Sequence, residues 1–199
     1  MGFSFGTFQF GYRRGMSSSI VLWLIVAVLL FWCVGVYNRL MRMRARGFAA
    51  FGSLEKHLKT LDTLLQTQLR AGASPDAHKA AQQTPPPTDW ALLAHTVEAL
   101  DAACKAARSA PLQVQALAEL GRSIDAVAME WRRISSEPAD LAGSPVPDEI
   151  RSQWEDASVR AQAAREALNQ ILQRYNEAIG EFPARLIVGI LGFKPAGNL

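Results

Sequence analysis

Three histidines are the first candidates for chemistry in this chain, because imidazole can ligate a metal or transfer a proton near neutral pH. His57, His78 and His95 are far apart, and only His95 and Glu98 stand three residues apart on one helical face. The sequence contains neither a Glu-x-x-His pair of the di-iron type nor a His/Cys cluster with zinc spacing. We interpret His95 and Glu98 as part of a solvated polar face, and we predict no metal site and no cofactor.

The two cysteines are the remaining candidates for a nucleophile. Cys33 falls in an apolar run, and Cys104 falls between Leu100 and Ala107 in a helical apolar seam. A buried thiol of this kind behaves as a small apolar side chain, and the two cysteines are too distant in the expected architecture to form a disulfide. No glycine-rich phosphate loop precedes a helix. We therefore expect neither an enzyme nor a small-molecule substrate.

Tyrosine and asparagine pairs recur on or beside the apolar seams. They are Tyr37-Asn38 and Tyr175-Asn176, and Asn169 lies seven residues before Asn176. One hypothesis is a polar site between the first and last helices near a membrane. The other is a set of hydrogen bonds across the helices that fixes their register. We favour the second hypothesis, because buried polar groups are nearly always paired.

An unbroken apolar run of 17 residues extends from Ile20 to Val36. With the serines before it, this run covers about 30 Å as a helix, which is the thickness of a bilayer core. It offers no small-residue cleavage site, and the bulky Trp32 precedes Cys33, so a signal peptide or lipoprotein is disfavoured. We predict an uncleaved anchor over residues 17–37, with these membrane residues: Ile20, Leu22, Trp23, Leu24, Ile25, Leu29, Leu30, Phe31, Trp32 and Val36.

Basic residues border the apolar run unequally. Two arginines precede it and four follow within ten residues. The positive-inside rule therefore predicts a single-pass protein of the bacterial inner membrane, with the N-terminus outside and the C-terminal domain in the cytoplasm. The aromatic, glycine-rich segment 1–16 ends at a second candidate start, Met16. Translation from Met16 would remove residues 1–15 and sharpen this bias. The arginines after the run are expected to contact lipid headgroups. The alternative is that they recruit a partner. They are Arg39, Arg42, Arg44 and Arg46.

The charge of the chain is divided along its length. Residues 1–54 carry six arginines and no acid, whereas residues 55–199 carry 15 basic and 18 acidic side chains. The pI of about 9.1 is thus due to the arginines that flank the anchor. The remainder is mildly acidic and has no basic stripe, so we expect no nucleic-acid partner.

Beyond the anchor, four segments repeat apolar residues at alternating steps of three and four, as in helices packed in a bundle. We predict an all-α fold, an up-down antiparallel bundle of long helices over residues 38–183, with a flexible, proline-rich loop at 71–88.

The first helix beyond the anchor (37–70) and the last (148–181) each span about 50 Å. Asp89 and Asp148 are predicted N-caps. The stripes are Tyr37, Leu40, Phe51, Leu54, Leu58, Leu61 and Leu65; Trp90, Leu93, Val97, Leu100, Cys104 and Ala107; Leu117, Leu120, Ile124, Val127, Trp131 and Ile134; and Ile150, Trp154, Ala157, Ala161, Ala164, Leu168, Ile171, Tyr175 and Ala178.

Residues 184–199 form an apolar tail. Its apolar core, Leu186 to Phe193, is too short to span a bilayer. Two interpretations stay open: the tail dips into the headgroup region, or it covers the membrane-proximal end of the bundle. Both place the tail near the membrane.

Several of these motifs together resemble the bacterial LemA family. Tyr37-Asn38-Arg39-Leu40 directly after the anchor is similar to the family's opening motif, and the later motifs match its C-terminal signature in order and spacing. The proline and asparagine usual in the first helix are missing, so the chain is similar to a divergent member. The resemblance implies a single-pass membrane protein with a short outward N-terminus and an α-helical domain. It rests on Tyr37, Asn38, Arg39, Leu40, Arg165, Asn169, Tyr175, Asn176, Phe182, Pro183, Gly192 and Phe193.

These features predict a non-enzymatic scaffold or interaction module anchored at the bacterial inner membrane. Its expected partners are the lipid bilayer and either further copies of itself or another protein. The alternative is a membrane signal receptor or an envelope-assembly factor, which would place the bundle in the periplasm.

Overall fold

The computed structural model describes residues 14–72, 88–136, 146–181 and 184–199. Every regular element within these ranges is a helix, which confirms the all-α prediction. The chain divides into two compact units, Met1–Arg39 and Leu40–Leu199. The helices are α1 (Arg14–Gly72), α2 (Thr88–Ser109), α3 (Val114–Ser135), α4 (Asp148–Gly180) and α5 (Ala184–Leu191).

The C-terminal part of α1 contributes a leucine-rich stripe to the core of the second unit. Its apolar residues recur at steps of three and four, so they fall on one side of the helix. All of the predicted residues from Leu40 onward are buried, whereas Tyr37 is exposed. The buried members are Leu40, Phe51, Leu54, Leu58, Leu61 and Leu65.

A tight turn joins α2 to α3. The backbone N–H of Ala110 donates to the carbonyl of Ala107 (3.2 Å), and that of Gln113 donates to the carbonyl of Ala110 (3.0 Å). These two bonds close the chain between the helices, which then pack against each other. The carboxylate of Glu55 on α1 pairs with Arg108 at the end of α2, so the turn is also tied to α1.

Helix α4 runs antiparallel to α3 where the two touch. The Arg165 guanidinium pairs with the Asp125 carboxylate at 2.5 Å. The rings of Trp131 and Trp154 stack, with their centroids 4.7 Å apart. Residue numbers rise along α3 between these contacts while they fall along α4. Both tryptophans are buried, at 3% and 7% exposure, as predicted for core residues.

Some details of the predicted helices are wrong. Helix α2 begins at Thr88, so Asp89 lies inside the helix and is not its N-cap. The N-cap of α4 is Pro147, and Asp148 is the first helical residue. Helix α1 ends at Gly72, slightly inside the predicted loop 71–88, of which residues 73–87 lie outside the described ranges.

Helix α5 ends in a turn that requires a left-handed residue. Gly192 has a φ of +69°, a conformation that other residues adopt only with strain. The backbone N–H of Phe193 then donates to the carbonyl of Val188 at 3.2 Å, which is the long bond of a Schellman motif. This turn explains the Gly-Phe pair of the sequence motif, and it starts the extended segment Gly192–Leu199, which we call the strap.

Candidate functional site

The predicted anchor residues belong to the first unit and are exposed. Eight of them are between 52% and 84% exposed, and Trp32 and Val36 are half-buried. Among the described residues, one helix is long and apolar enough to cross a membrane, and none of its most apolar stretch is buried. The eight most exposed are Ile20, Leu22, Trp23, Leu24, Ile25, Leu29, Leu30 and Phe31.

The four arginines after the apolar run are all exposed, as headgroup contacts would have to be. One of them has a defined aromatic contact. The guanidinium carbon of Arg44 lies 5.6 Å from the centroid of the Phe48 ring, one helical turn further along α1. A cation over an aromatic face is attracted by the electron-rich ring, so this contact favours an Arg44 side chain that lies along α1 beside Phe48.

The structure separates the predicted tyrosine and asparagine residues into two groups. Asn38 is exposed and Tyr37 is 41% exposed. Tyr175 is buried on α4, next to Asn176. The hydrogen bonds of Asn169, Tyr175 and Asn176 go to the strap. Asn169, Tyr175 and Asn176 are therefore paired, but with the strap and not with another long helix. For Tyr37 and Asn38 the register hypothesis stays a prediction.

Asn169 and Asn176 hold the strap by the same arrangement. The amide nitrogen of Asn176 donates to the carbonyl of Ala196 (2.9 Å), and its amide oxygen accepts from the Ala196 N–H (2.8 Å). Asn169 repeats this pair with the carbonyl and N–H of Leu199, at 3.1 and 2.9 Å. The Tyr175 hydroxyl adds a bond to the carbonyl of Lys194 at 3.2 Å. We call these three residues the amide clamp.

The spacing of the clamp follows from backbone geometry. Seven residues of helix rise about 10.5 Å, and three residues of extended chain cover about 10 Å. Asn169 and Asn176 therefore match Leu199 and Ala196 in register. Because the earlier asparagine binds the later strap residue, the strap runs antiparallel to α4.

Two glycines let the strap approach its neighbours closely. A Cβ atom at Gly197 would lie 2.6 Å from the Val114 Cα, and one at Gly121 would lie 3.1 Å from the Leu199 carbonyl carbon. The N–H of Gly197 also reaches the carbonyl of Leu112 at 3.4 Å. Side chains at these positions would push the strap away from α3 and from the turn before it.

One residue of the clamp, Tyr175, lines a groove of about 740 Å³, which we call the basic groove. Arg44 and Phe48 on α1 and the turn at residues 109–115 also line it. Gly192, Lys194 and Pro195 of the strap complete the lining. Among the described residues, the groove is lined by two cationic side chains and by no carboxylate.

A second groove of about 710 Å³ lies over the tryptophan pair. Its lining has an apolar part that includes Trp131, Trp154 and leucines of α1. Its charged rim is balanced, with three arginines and three acids: Arg132, Arg151, Arg165, Asp125, Glu155 and Glu166. This groove has no net charge to select a ligand.

Burial sets the protonation of two groups in the second unit. Burial raises the pKa of the Tyr175 hydroxyl, and the charge of Arg44 opposes the rise, so Tyr175 stays protonated as the donor to the strap. Burial, helped by the carboxylates of Glu55, Asp101 and Asp62, raises the pKa of the Cys104 thiol to about 11. A raised pKa disfavours the thiolate that a nucleophile needs. The predicted burial of Cys104 in the apolar seam is wrong, because its side chain is half-buried and Ala103 is the buried seam residue.

The histidines do not form a site in the part of the chain that the structure describes. His57 is half-buried on α1 and His95 is exposed on α2, while His78 lies outside the described ranges. Within those ranges no three His, Cys, Asp or Glu side chains are placed to hold a metal ion.

Sequence reasoning missed the strap residues Ala196, Gly197 and Leu199 as partners of the clamp. The available signal was the seven-residue spacing of the two asparagines together with a short apolar tail. Phe182 and Pro183 lie outside the described residues.

Comparison of the chain with family models, with curated proteins and with solved structures finds no match. The resemblance to the LemA family therefore rests on the motifs alone.

Proposed function

We propose that this chain is a LemA-like, single-pass membrane protein whose helical unit is a non-enzymatic interaction or scaffolding module at the bacterial inner membrane. One observation carries the proposal. The same helix, α1, holds an exposed apolar run long enough for a bilayer and then the buried stripe that begins at Leu40. Such a helix joins an anchor to a folded domain without a linker.

The helical unit is proposed to be an up-down bundle, which suits a rigid scaffold. Support comes from the tight turn between α2 and α3 and from the antiparallel contacts of α3 with α4. Short connections favour antiparallel neighbours in bundles. The motif residues support a structural role as well, because Asn169 and Asn176 use both ends of their amides to hold the strap.

The proposed partners are the bilayer and further copies of this chain or another protein. Self-assembly is tested by sedimentation of the full chain, in detergent and in lipid nanodiscs. Assembly larger than a monomer in both media is the expected result. A monomer in both would remove self-assembly from the proposal and leave a different protein as the partner.

The orientation is tested by cysteine labelling in intact cells. A single reporter cysteine is placed in the segment 73–87 of a chain in which Cys33 and Cys104 are replaced by serine. A thiol reagent that cannot cross the inner membrane is then added after the outer membrane is made permeable. We expect labelling only after lysis, because the arginines after the apolar run favour the cytoplasmic side.

Labelling before lysis would place the helical unit in the periplasm. The scaffold for cytoplasmic partners would then be wrong, and the receptor or envelope-assembly function would replace it. A reporter cysteine at the N-terminal residue Ser4 gives the reciprocal pattern and controls for access of the reagent.

A further inference from the structure

We infer that the basic groove binds the headgroup of an anionic phospholipid, with Arg44 and Lys194 on the phosphate and Phe48 and Val114 against the apolar part of the lipid. This inference rests on the proposed membrane anchoring. It goes beyond general attraction of the arginine run to a charged surface, because it assigns a defined site in the second unit.

The charge of the groove selects the class of ligand. Within the part of the chain that the structure describes, Arg44 and Lys194 are the charged side chains that line it. The second groove differs, since its three arginines are matched by three acids. A guanidinium offers paired donors to phosphate oxygens, and an ammonium adds a compact point charge. An anion can therefore be bound in the basic groove without a carboxylate competing for the same cations.

The apolar lining distinguishes a lipid from a free phosphate. Phe48 is 41% and Val114 is 50% exposed, and both line the groove beside Pro111, Leu112 and Pro195. Inorganic phosphate would leave these side chains in water. The glycerol and first methylenes of a lipid would cover them, which is favourable in proportion to the apolar area buried.

The location in the chain makes a lipid available. Arg44 follows Val36, the last residue of the apolar run, by eight residues of the same helix. Lys194 follows the apolar sequence of α5, Ala184–Leu191, by three residues. The volume of about 740 Å³ falls within the usual range for small-ligand sites.

The clamp positions Lys194, because it holds the strap that carries this residue into the groove. Tyr175 donates to the carbonyl of Lys194, and Asn176 holds Ala196 two residues later. Release of the strap would therefore remove one of the two cations from the groove without changing the net charge of the chain. Tyr175 and Asn176 are positioning residues for this site.

Native mass spectrometry of the full chain in a non-ionic detergent tests the inference. The chain is mixed with equal amounts of short-chain phosphatidylglycerol and phosphatidylcholine, and the retained lipids are counted. We expect retained phosphatidylglycerol with about tenfold selectivity, which Arg44→Gln with Lys194→Gln lowers about tenfold, the effect of losing a hydrogen bond to a charged group. Lys56→Gln with Lys59→Gln is the charge-matched control, because both lysines are exposed on α1 and neither lines the groove, and it should change the selectivity less than about twofold.

Three results would overturn the inference. The groove variant Arg44→Gln with Lys194→Gln could keep the selectivity of the wild type, the control variant Lys56→Gln with Lys59→Gln could lower it as much, or sodium phosphate at the lipid's concentration could displace the lipid. The last result would identify a site for free phosphate.

Carbonate extraction of membranes separates this inference from the proposed function. If the chain resists carbonate but shows no lipid selectivity, only the groove inference fails. If carbonate releases the wild-type chain, the anchoring itself is wrong. Asn176→Ala supplies a second readout, since it should lower the selectivity by releasing the strap without changing the net charge of the chain.

Discussion

Asparagine is the side chain best suited to hold an extended backbone against a helix. Its amide carries a donor and an acceptor at the spacing of a peptide group, so one side chain can satisfy both the N–H and the carbonyl of a single residue. Asn176 does this for Ala196, and Asn169 does it for Leu199. The strap thereby pairs its backbone without a neighbouring strand.

Asn176→Asp tests this role with almost no change in shape. The carboxylate keeps the acceptor for the Ala196 N–H but loses the donor and faces the Ala196 carbonyl, so we expect a loss of about 1–3 kcal/mol in the stability of the strap. Hydrogen exchange at the Ala196 amide should be about tenfold faster or more. Asn38→Asp is the control, because Asn38 is exposed, and equal effects of the two variants would contradict the clamp.

Cys104 should react slowly despite partial exposure. With a pKa of about 11 in place of 9.0, its thiolate fraction at pH 8 is about a hundredfold lower than in the unfolded chain. Alkylation in a Cys33→Ser background should therefore be about a hundredfold faster in urea than in buffer. The folded state holds the thiol proton of Cys104 more tightly than the unfolded chain does. The contribution of this group to the free energy of unfolding is therefore fully present below pH 9.0, and it is lost as the pH rises towards 11. Equal alkylation rates in urea and buffer would show that the thiol is not shielded.

At the level of elements, the strap packs closely against α3 because Gly197 has no side chain. Gly197→Ala would set a Cβ atom 2.6 Å from the Val114 Cα, so the strap must move away from α3, at a cost of about 1–3 kcal/mol. Hydrogen exchange at the Leu199 amide should accelerate, although position 199 is not altered.

Gly52→Ala is the matched control for that variant. A Cβ atom there meets nothing within 4 Å, and the residue lies inside α1, so alanine should stabilise the chain by about 0.5–1 kcal/mol. If both glycine variants stabilise the chain, the close approach of the strap to Val114 is not maintained in solution.

The tryptophan pair is a stacked aromatic contact between α3 and α4. Trp131→Ala should lower the free energy of unfolding by about 3–5 kcal/mol, because it removes a buried ring and leaves a cavity. Chemical unfolding followed by circular dichroism measures the change. Trp23→Ala, in the exposed apolar run, should leave the unfolding of the second unit unchanged, and a small effect of Trp131→Ala would mean that the stack is loosely packed.

The helices were predictable because their apolar residues repeat with the helical period. That period allows steps of three or four residues, so it does not decide which of two neighbouring residues is buried. It predicted Cys104 and Ile171, whereas Ala103 and Leu172 are buried. The packing of a neighbouring helix makes that choice. The basic groove was less predictable, because its wall is an extended strap bound through backbone groups, which leave no side-chain period. Arg44 was singled out only as one of four arginines. Its contact with Phe48 is local, since the two residues are four apart on one helix, but its place beside the strap depends on the fold.

At the scale of the whole molecule, charge and hydropathy are segregated along the chain. Every acidic residue follows residue 54, and the exposed apolar run precedes it. An exposed apolar patch of this size on a folded protein marks contact with a membrane or another protein. The arginines between these parts form a border that suits headgroups on one side of a bilayer.

Paired arginines in the apolar run give the decisive test of the anchor. Leu24→Arg with Val28→Arg places two charges near the middle of the run, each costing about 2.5–3.5 kcal/mol in a bilayer. The chain should move from the carbonate-resistant membrane fraction to the soluble or aggregated fraction. Met129→Arg is the control, because Met129 is also exposed but lies on α3 in the second unit, and it should stay with the membrane. If the double variant remains resistant to carbonate, the run does not span the bilayer, and its exposed side chains must instead contact another protein.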